Sequence, residues 1–141
     1  MSLAVAAAVH ATPFPTVAPS VLIAEDERKL RWWLIEQFDA LGVTPLVATG
    51  GYDAIRLAGE NRPDLILLDG LLPELHGFEI ARFIRALDRD YRPHIAIMTA
   101  IYKNIRYQNE ARLKYGIDDY LLKPLAPESL ASLIGRVKVA S

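Results

Sequence analysis

The chain has 141 residues, of which 52% are hydrophobic and 23% charged, with 16 basic against 17 acidic side chains and no cysteine. This length suffices for one domain with a real core. The balance of charge offers no basic surplus for nucleic acid, and the lack of cysteine excludes disulfides, thiolate chemistry and cysteine-ligated metals. No apolar run approaches the ~20 residues of a membrane-spanning helix, and Leu3–Val9, though apolar, lacks the basic stretch that opens a signal peptide.

Residues 1–19 are Ala-rich, then Pro-rich (Pro13, Pro15, Pro19), and show neither a helical nor a strand period, which predicts a flexible extension ahead of a domain at 20–141. From Ser20 a short apolar run alternates with a longer amphipathic one, five times over. The first strand is expected over Ser20–Ala24. A helix over Glu27–Leu41 follows, with Leu30, Leu34, Phe38 and Leu41 on one face and Gly42 as its stop. The second strand, Val43–Ala48, contains Pro45. Proline cannot donate to a ladder, so this strand belongs at a sheet edge. A helix over Gly51–Glu60 leads to a third strand, Asp64–Asp69, whose unbroken Leu65-Ile66-Leu67-Leu68 run suits a central strand covered on both faces.

The third helix is predicted over Phe78–Leu87, facing inward through Ile80, Ile84 and Leu87, and the fourth strand over His94–Met98. A fourth helix within Asn104–Tyr115 has a poor apolar stripe (Tyr107, Ala111, Tyr115), which predicts the weakest docking of the set, and Gly116 ends it. A strand over Asp119–Leu122 and a helix over Pro127–Val139 complete the chain. Strands alternating with helices imply parallel βαβ units. Five of them with the second strand at an edge fit an α/β, doubly wound, flavodoxin-like (βα)5 sheet of order 2-1-3-4-5.

In such a sheet ligands bind beyond the carboxyl ends of the strands. Glu25 and Asp26 follow the first strand, Asp69 ends the third, Thr99 follows the fourth and Lys123 the fifth. Three acids, a hydroxyl and an ammonium should therefore meet in one crevice. Carboxylates are the ligands of hard Mg²⁺, and an aspartate can accept a phosphoryl group. Each residue alone has a plainer explanation. Acids at a helix start favour the macrodipole, a Thr ending a strand is an ordinary strand residue, and a Lys before Pro is ordinarily solvated. No helix starts at Asp69, however, since Pro73 and Gly77 follow it.

With these motifs in order (Glu25-Asp26, Asp69 through Gly77, Thr99-Ala100, and Asp118-Asp119-Tyr120-Leu121-Leu122-Lys123-Pro124) the chain resembles the receiver domains of bacterial two-component response regulators, over about Ser20–Val139. The resemblance implies a cytoplasmic signalling switch and not an enzyme with an external product. Asp69 would accept a phosphoryl group from a sensor histidine kinase or phosphotransfer protein. Mg²⁺ would be held by Glu25, Asp26, Asp69 and the backbone carbonyl of Leu71. Thr99 and Lys123 would meet the phosphoryl oxygens, and a cis Lys123-Pro124 bond would aim the lysine. Tyr120 would swing with Thr99, altering the face formed by the fourth helix, fifth strand and fifth helix. That face would control an output domain or partner protein and could support a homodimer; neither direct nucleic-acid contact nor a membrane is implied.

Departures from the pattern are a Thr99-to-Lys123 interval of 24 positions, slightly long for the family, with the surplus in Ile101–Arg106, and His76 where an acid or amide is common. Tyr102, Lys103, Arg106 and Tyr107 there suit either a partner surface or a solvated loop. The positions two past the acceptor and two past the threonine are Leu71 and Ile101, both apolar, which predicts slow loss of phosphate. Rival readings are a pseudo-receiver acting by contact alone, a phosphatase of the haloacid-dehalogenase kind (which needs an acid where Leu71 stands), and a flavin binder (which needs a phosphate loop where Glu25-Asp26-Glu27 stands). The sequence leaves open whether the receiver acts alone or within a longer regulator.

Overall fold

The structure is a computed structural model that describes residues 18–100, 109 and 112–139. Five parallel strands, β1 (Val21–Ala24), β2 (Leu46–Ala48), β3 (Leu65–Asp69), β4 (His94–Thr99) and β5 (Asp119–Leu122), form one sheet in the order β2-β1-β3-β4-β5. The helices are α1 (Arg28–Ala40), α2 (Gly51–Asn61), α3 (Gly77–Leu87), α4, of which helical residues 109 and 112–115 are described, and α5 (Pro127–Arg136). This is the flavodoxin-like doubly wound fold expected from the alternating pattern. Strand β2, with Pro45 just ahead of it, lies at the edge.

The continuous apolar runs become the middle of the sheet. Every residue of β1 and β3 is buried, as are Ile95–Met98 of β4. On one face Ala54 and Ala58 of α2 and Ile80, Ala81 and Ile84 of α3 pack over Leu22, Ile66, Leu68, Ile95 and Ile97. On the other, Leu34 and Phe38 of α1 and Leu130 and Leu133 of α5 cover Ile23, Leu65, Leu67 and Met98. Each such aliphatic side chain contributes about 1.5–3 kcal/mol on burial, and two covered faces explain why β3 carries no polar residue before its last.

Several boundaries differ from the sequence expectation. Strand β2 is shorter than Val43–Ala48, although Val43 is buried, and α5 stops at Arg136 rather than Val139. Leu41 and Leu87, expected on inward stripes, are 39% and 45% exposed. Leu41 is the cap residue of α1 and has left helical geometry, so it falls off the stripe. Leu87 ends α3 beside Gly59 of α2 instead of over the sheet. Gly42 has φ +79°, the left-handed conformation expected of a helix stop. Residues 1–17 and 101–108, and with them most of the predicted extension and the Tyr102, Lys103, Arg106 and Tyr107 group, lie outside the described residues, as does Ala111. Pro19 is buried, and Ser20 is tied through its N–H and hydroxyl to the Asp64 carboxylate at 2.9 and 3.1 Å.

Candidate functional site

The sheet register fixes how the polar residues meet. Ala24 of β1 stands opposite Leu68 of β3, so Glu25 and Asp69 each follow directly. Asp69 pairs with Met98, and Thr99 pairs with Leu122, one residue before Lys123. The Glu25 N–H donates to Ala48 O at 3.1 Å, Gly70 N–H to Met98 O at 2.9 Å and Lys123 N–H to Thr99 O at 2.8 Å. Each loop thus leaves its strand still bonded to the neighbouring one. No helix begins until Gly77, where a Cβ would lie 2.7 Å from Asp69 O and 3.0 Å from Ile97 Cδ1. Only glycine lets the start of α3 sit this close to the end of β3. His76 precedes α3, its N–H 3.4 Å from Glu79 Oε1.

Glu25, Asp26 and Asp69 each offer a carboxylate oxygen, and these lie within 4.8 Å of one another. Glu25 is fully buried and Asp69 nearly so, while Asp26 is exposed. Lys123 Nζ sits 3.2 Å from both Glu25 Oε1 and Asp69 Oδ1. The Lys123-Pro124 bond is cis. Burial, the hydrogen bond shared with Asp69 and the Asp69 charge together push the Glu25 carboxyl up to about 7, against the Glu27 N–H and Lys123, which pull it down. Burial lowers the Lys123 ammonium, but the Glu25 and Asp69 carboxylates outweigh it and the net direction is up.

Three carboxylates against one ammonium leave a negative excess in a partly desolvated pocket. That donor set, oxygen only and open to solvent at Asp26, fits a hard divalent cation that keeps some of its waters. The Leu71 N–H donates to Asp69 Oδ1 at 3.2 Å, which orients the carboxylate, and the Leu71 side chain is 63% exposed. Tyr120 is placed differently from the other sequence candidates. Its ring is half-buried with the α2–α3 core cluster, 6.2 Å from the Phe78 ring, which in turn stacks 5.3 Å from Tyr115.

One contributor was not singled out from the sequence. Arg31, one turn into α1, turns back so that Nη1 donates to the carbonyls of Glu25 at 3.2 Å and Asp26 at 3.1 Å. The Glu27 N–H also donates to Glu25 Oε2 at 3.1 Å. The loop carrying two of the three acids is therefore pinned from inside the helix it precedes. An Arg six residues past the first acid is the only signal the sequence holds for this, and it is shared by any solvated helix.

Comparison with known proteins agrees with this geometry. Residues 21–135 match the response regulator receiver domain family. The chain is 34% identical over 119 residues to the transcriptional regulatory protein AfsQ1 of Streptomyces coelicolor, covering 84% of this chain and 51% of that protein. It is 35% identical over 121 residues to the transcriptional regulatory protein PrrA of Mycobacterium tuberculosis, covering 86% and 49%. The chain thus spans about half the length of the curated relatives it matches. Among solved structures, the receiver domain of the sensor histidine kinase PA1611 from Pseudomonas aeruginosa PAO1, which has a magnesium ion coordinated in its active-site cleft, aligns with a TM-score of 0.73 at 30% identity, covering 85% of this chain and 97% of that one. The chemotaxis protein CheY4 of Vibrio cholerae shares the fold with a TM-score of 0.78 at 24% identity, over 86% of this chain and 100% of that one. With a family match across the whole sheet and the acids, hydroxyl and lysine at its strand ends, the chain belongs to the response regulator receiver domains of two-component signalling.

Proposed function

We propose that the domain is a phosphoacceptor switch. The observation that carries this reading is the meeting of Glu25, Asp26, Asp69 and Lys123 at one end of the sheet, with the carboxylates within 4.8 Å of one another and the ammonium 3.2 Å from two of them. An Asp69 carboxylate oxygen attacks the phosphorus of a phosphohistidine on a sensor histidine kinase or phosphotransfer protein. The P–N bond breaks, its electron pair stays on the imidazole nitrogen, and Asp69 carries an acyl phosphate. Glu25, Asp26, Asp69 and the Leu71 carbonyl would hold Mg²⁺, which would supply charge neutralisation at the phosphoryl oxygens. Lys123 moves from the carboxylates to a phosphoryl oxygen, and the Thr99 hydroxyl donates to another. Positioning and charge stabilisation of this kind are most of what protein groups contribute to phosphoryl transfer.

Tyr120 and Thr99 lie on adjacent strands, so a shift of Thr99 toward the phosphoryl group would repack the Tyr120 ring. The α4–β5–α5 face then changes, and with it the contact to an output domain, a partner protein or a second copy. On this reading the domain catalyses only its own phosphorylation and dephosphorylation and acts in the cytoplasm. All the acids and the lysine of the phosphotransfer set are in place, which disfavours a pseudo-receiver.

The test is mass spectrometry after incubation with acetyl phosphate, with and without Mg²⁺, on the wild type and on Asp69→Ala. A Mg²⁺-dependent gain of one HPO₃ that vanishes in the variant is expected. A folded wild type that gains nothing would return the pseudo-receiver reading.

A further inference from the structure

A second polar region lies at the opposite end of the sheet. A cleft of about 470 Å³ opens at the amino ends of β4 and β5, lined by Arg85, Arg92, Arg112, Arg136 and Lys138 with Asp118 as their one carboxylate. His94 also faces it but is held by Asp119 at 2.6 Å. Five permanent cations in one concavity stand out in a chain whose formal net charge is −1. They come from α3, the α3–β4 turn, α4, α5 and the segment after α5, so the fold and not a basic run in the sequence assembles them.

The five divide into two kinds. Arg85 is spent on the frame: Nε and Nη2 donate to Gly116 O at 3.1 and 2.7 Å, Nη1 donates to Pro93 O at 2.7 Å, and Nη2 also meets Asp118 Oδ2 at 2.9 Å. Arg136 is likewise engaged, with Asp119 at 3.2 Å and Ser132 Oγ at 2.6 Å. Arg92, Arg112 and Lys138 are exposed and, among the described residues, have no carboxylate within ion-pair distance. Asp118 and Asp119 are taken by Arg85, His94 and Arg136, and Asp64 and Asp90 line the adjoining groove beside Arg92 and Lys138. Within the cleft cations outnumber carboxylates five to one, three of them on a rigid rim built by the other two. Such an arrangement focuses positive potential and favours a multiply charged anion.

We propose that this cleft is a binding site for an oligophosphate, the shared chemistry of an inorganic phosphate chain and the phosphates of a nucleotide. Guanidinium forks match phosphate oxygens in pairs, and the volume is that of a small-ligand pocket. It is not an extended basic stripe of the kind that tracks a nucleic-acid backbone. The site is separate from Asp69 and independent of the phosphoacceptor reading.

The experiment is isothermal titration calorimetry of the full chain at low salt in EDTA, so that the carboxylate cluster carries no metal, with inorganic tripolyphosphate, ATP, AMP and a short single-stranded oligonucleotide as ligands. Tripolyphosphate should bind, more weakly as salt rises. Affinity should fall about tenfold or more in the R92Q/R112Q/K138Q triple variant and by a smaller factor in Arg112→Gln alone. Asp69→Asn should change nothing. ATP binding as tightly as tripolyphosphate assigns the site to the phosphate chain itself, and ATP binding more tightly assigns it to a nucleotide; both support the proposal. It is overturned if the wild type binds no tripolyphosphate, if the triple variant keeps full affinity, if AMP binds as well as ATP, or if the oligonucleotide outcompetes tripolyphosphate at equal phosphate. The substituted side chains are all exposed, and a thermal melt of each variant confirms folding before titration.

Discussion

Lys123 Nζ lies 3.2 Å from Oε1 of Glu25, a carboxylate with no solvent exposure at all. The lysine is therefore a counter-ion of the acidic cluster and stands in the neighbourhood a divalent cation would take. Lys123→Ala should lower metal-free stability at pH 8 by about 1–3 kcal/mol, because it leaves buried carboxylate charge without its partner. The same variant should bind Mg²⁺ more tightly, having lost a competing cation, and should lose acetyl-phosphate labelling. Urea denaturation in EDTA and a Mg²⁺ titration check the two halves; weaker Mg²⁺ binding would count against the lysine as a competitor.

Protons and metal should compete at Glu25. Its carboxyl is pushed up to about 7 in the folded protein from an ordinary 4.5, chiefly by burial. A raised carboxyl means the folded state holds the proton more tightly than the unfolded state does. Its contribution to metal-free stability is complete below pH 4.5 and is lost as pH rises through about 7. Metal binding requires the deprotonated form, so Mg²⁺ affinity should fall about tenfold per pH unit below that value and level off above it. Titrations between pH 5.5 and 8.5 (~3 units, spanning the midpoint) test this, and Glu25→Gln should flatten the profile.

Arg31→Ala should loosen the β1–α1 loop, since it removes the donor to the carbonyls of both Glu25 and Asp26. We expect Mg²⁺ affinity to drop by about three- to tenfold, with a stability loss of about 1 kcal/mol. Arg31→Lys, whose shorter side chain falls short of the Nη1 position that serves both carbonyls, should recover little of either. A variant that loses stability yet keeps wild-type Mg²⁺ affinity would show that the arginine serves the helix alone.

Leu71 borders the acceptor with an exposed apolar side chain, which offers nothing to orient an attacking water. Leu71→Asn should shorten the life of phosphorylated Asp69 several-fold, followed by intact-mass decay at neutral pH. Wild-type phosphate vanishing within seconds would refute the underlying idea. Ile101, the other residue in that argument, lies outside the described residues.

Gly77→Ala would set a methyl group 2.7 Å from the Asp69 carbonyl oxygen. Backbone must move to relieve it, at a cost of about 1–3 kcal/mol, and the acceptor moves with it. Reduced labelling alongside a lowered denaturation midpoint is expected. Unchanged labelling would mean that α3 alone gives way.

The order of elements was legible because each apolar run either repeats continuously, as in Leu65–Leu68, or at helical spacing, as in Leu34 and Phe38. The site was legible because parallel strands carry whatever follows them to one edge of the sheet, so Glu25, Asp26, Asp69, Thr99 and Lys123 needed no long-range information to be grouped. What escaped the sequence depends on direction. Leu41 and Leu87 fit their stripes in one dimension but sit where the helix ends, beyond the sheet that would have covered them. The inward turn of Arg31 is a rotamer choice, and its spacing matches that of any exposed arginine. The cationic cleft draws residues from positions 85 to 138, so no local window contains it.

Strand β4 begins at His94 in that cleft and ends at Thr99 beside the acceptor. Its six residues span roughly 20 Å, with the four between them buried, all paired to β3 and Ala96–Met98 also to β5. Any free energy by which an anion at the His94 end favours or opposes phosphate at Asp69 must be returned in equal measure, phosphate at Asp69 altering anion affinity by the same factor.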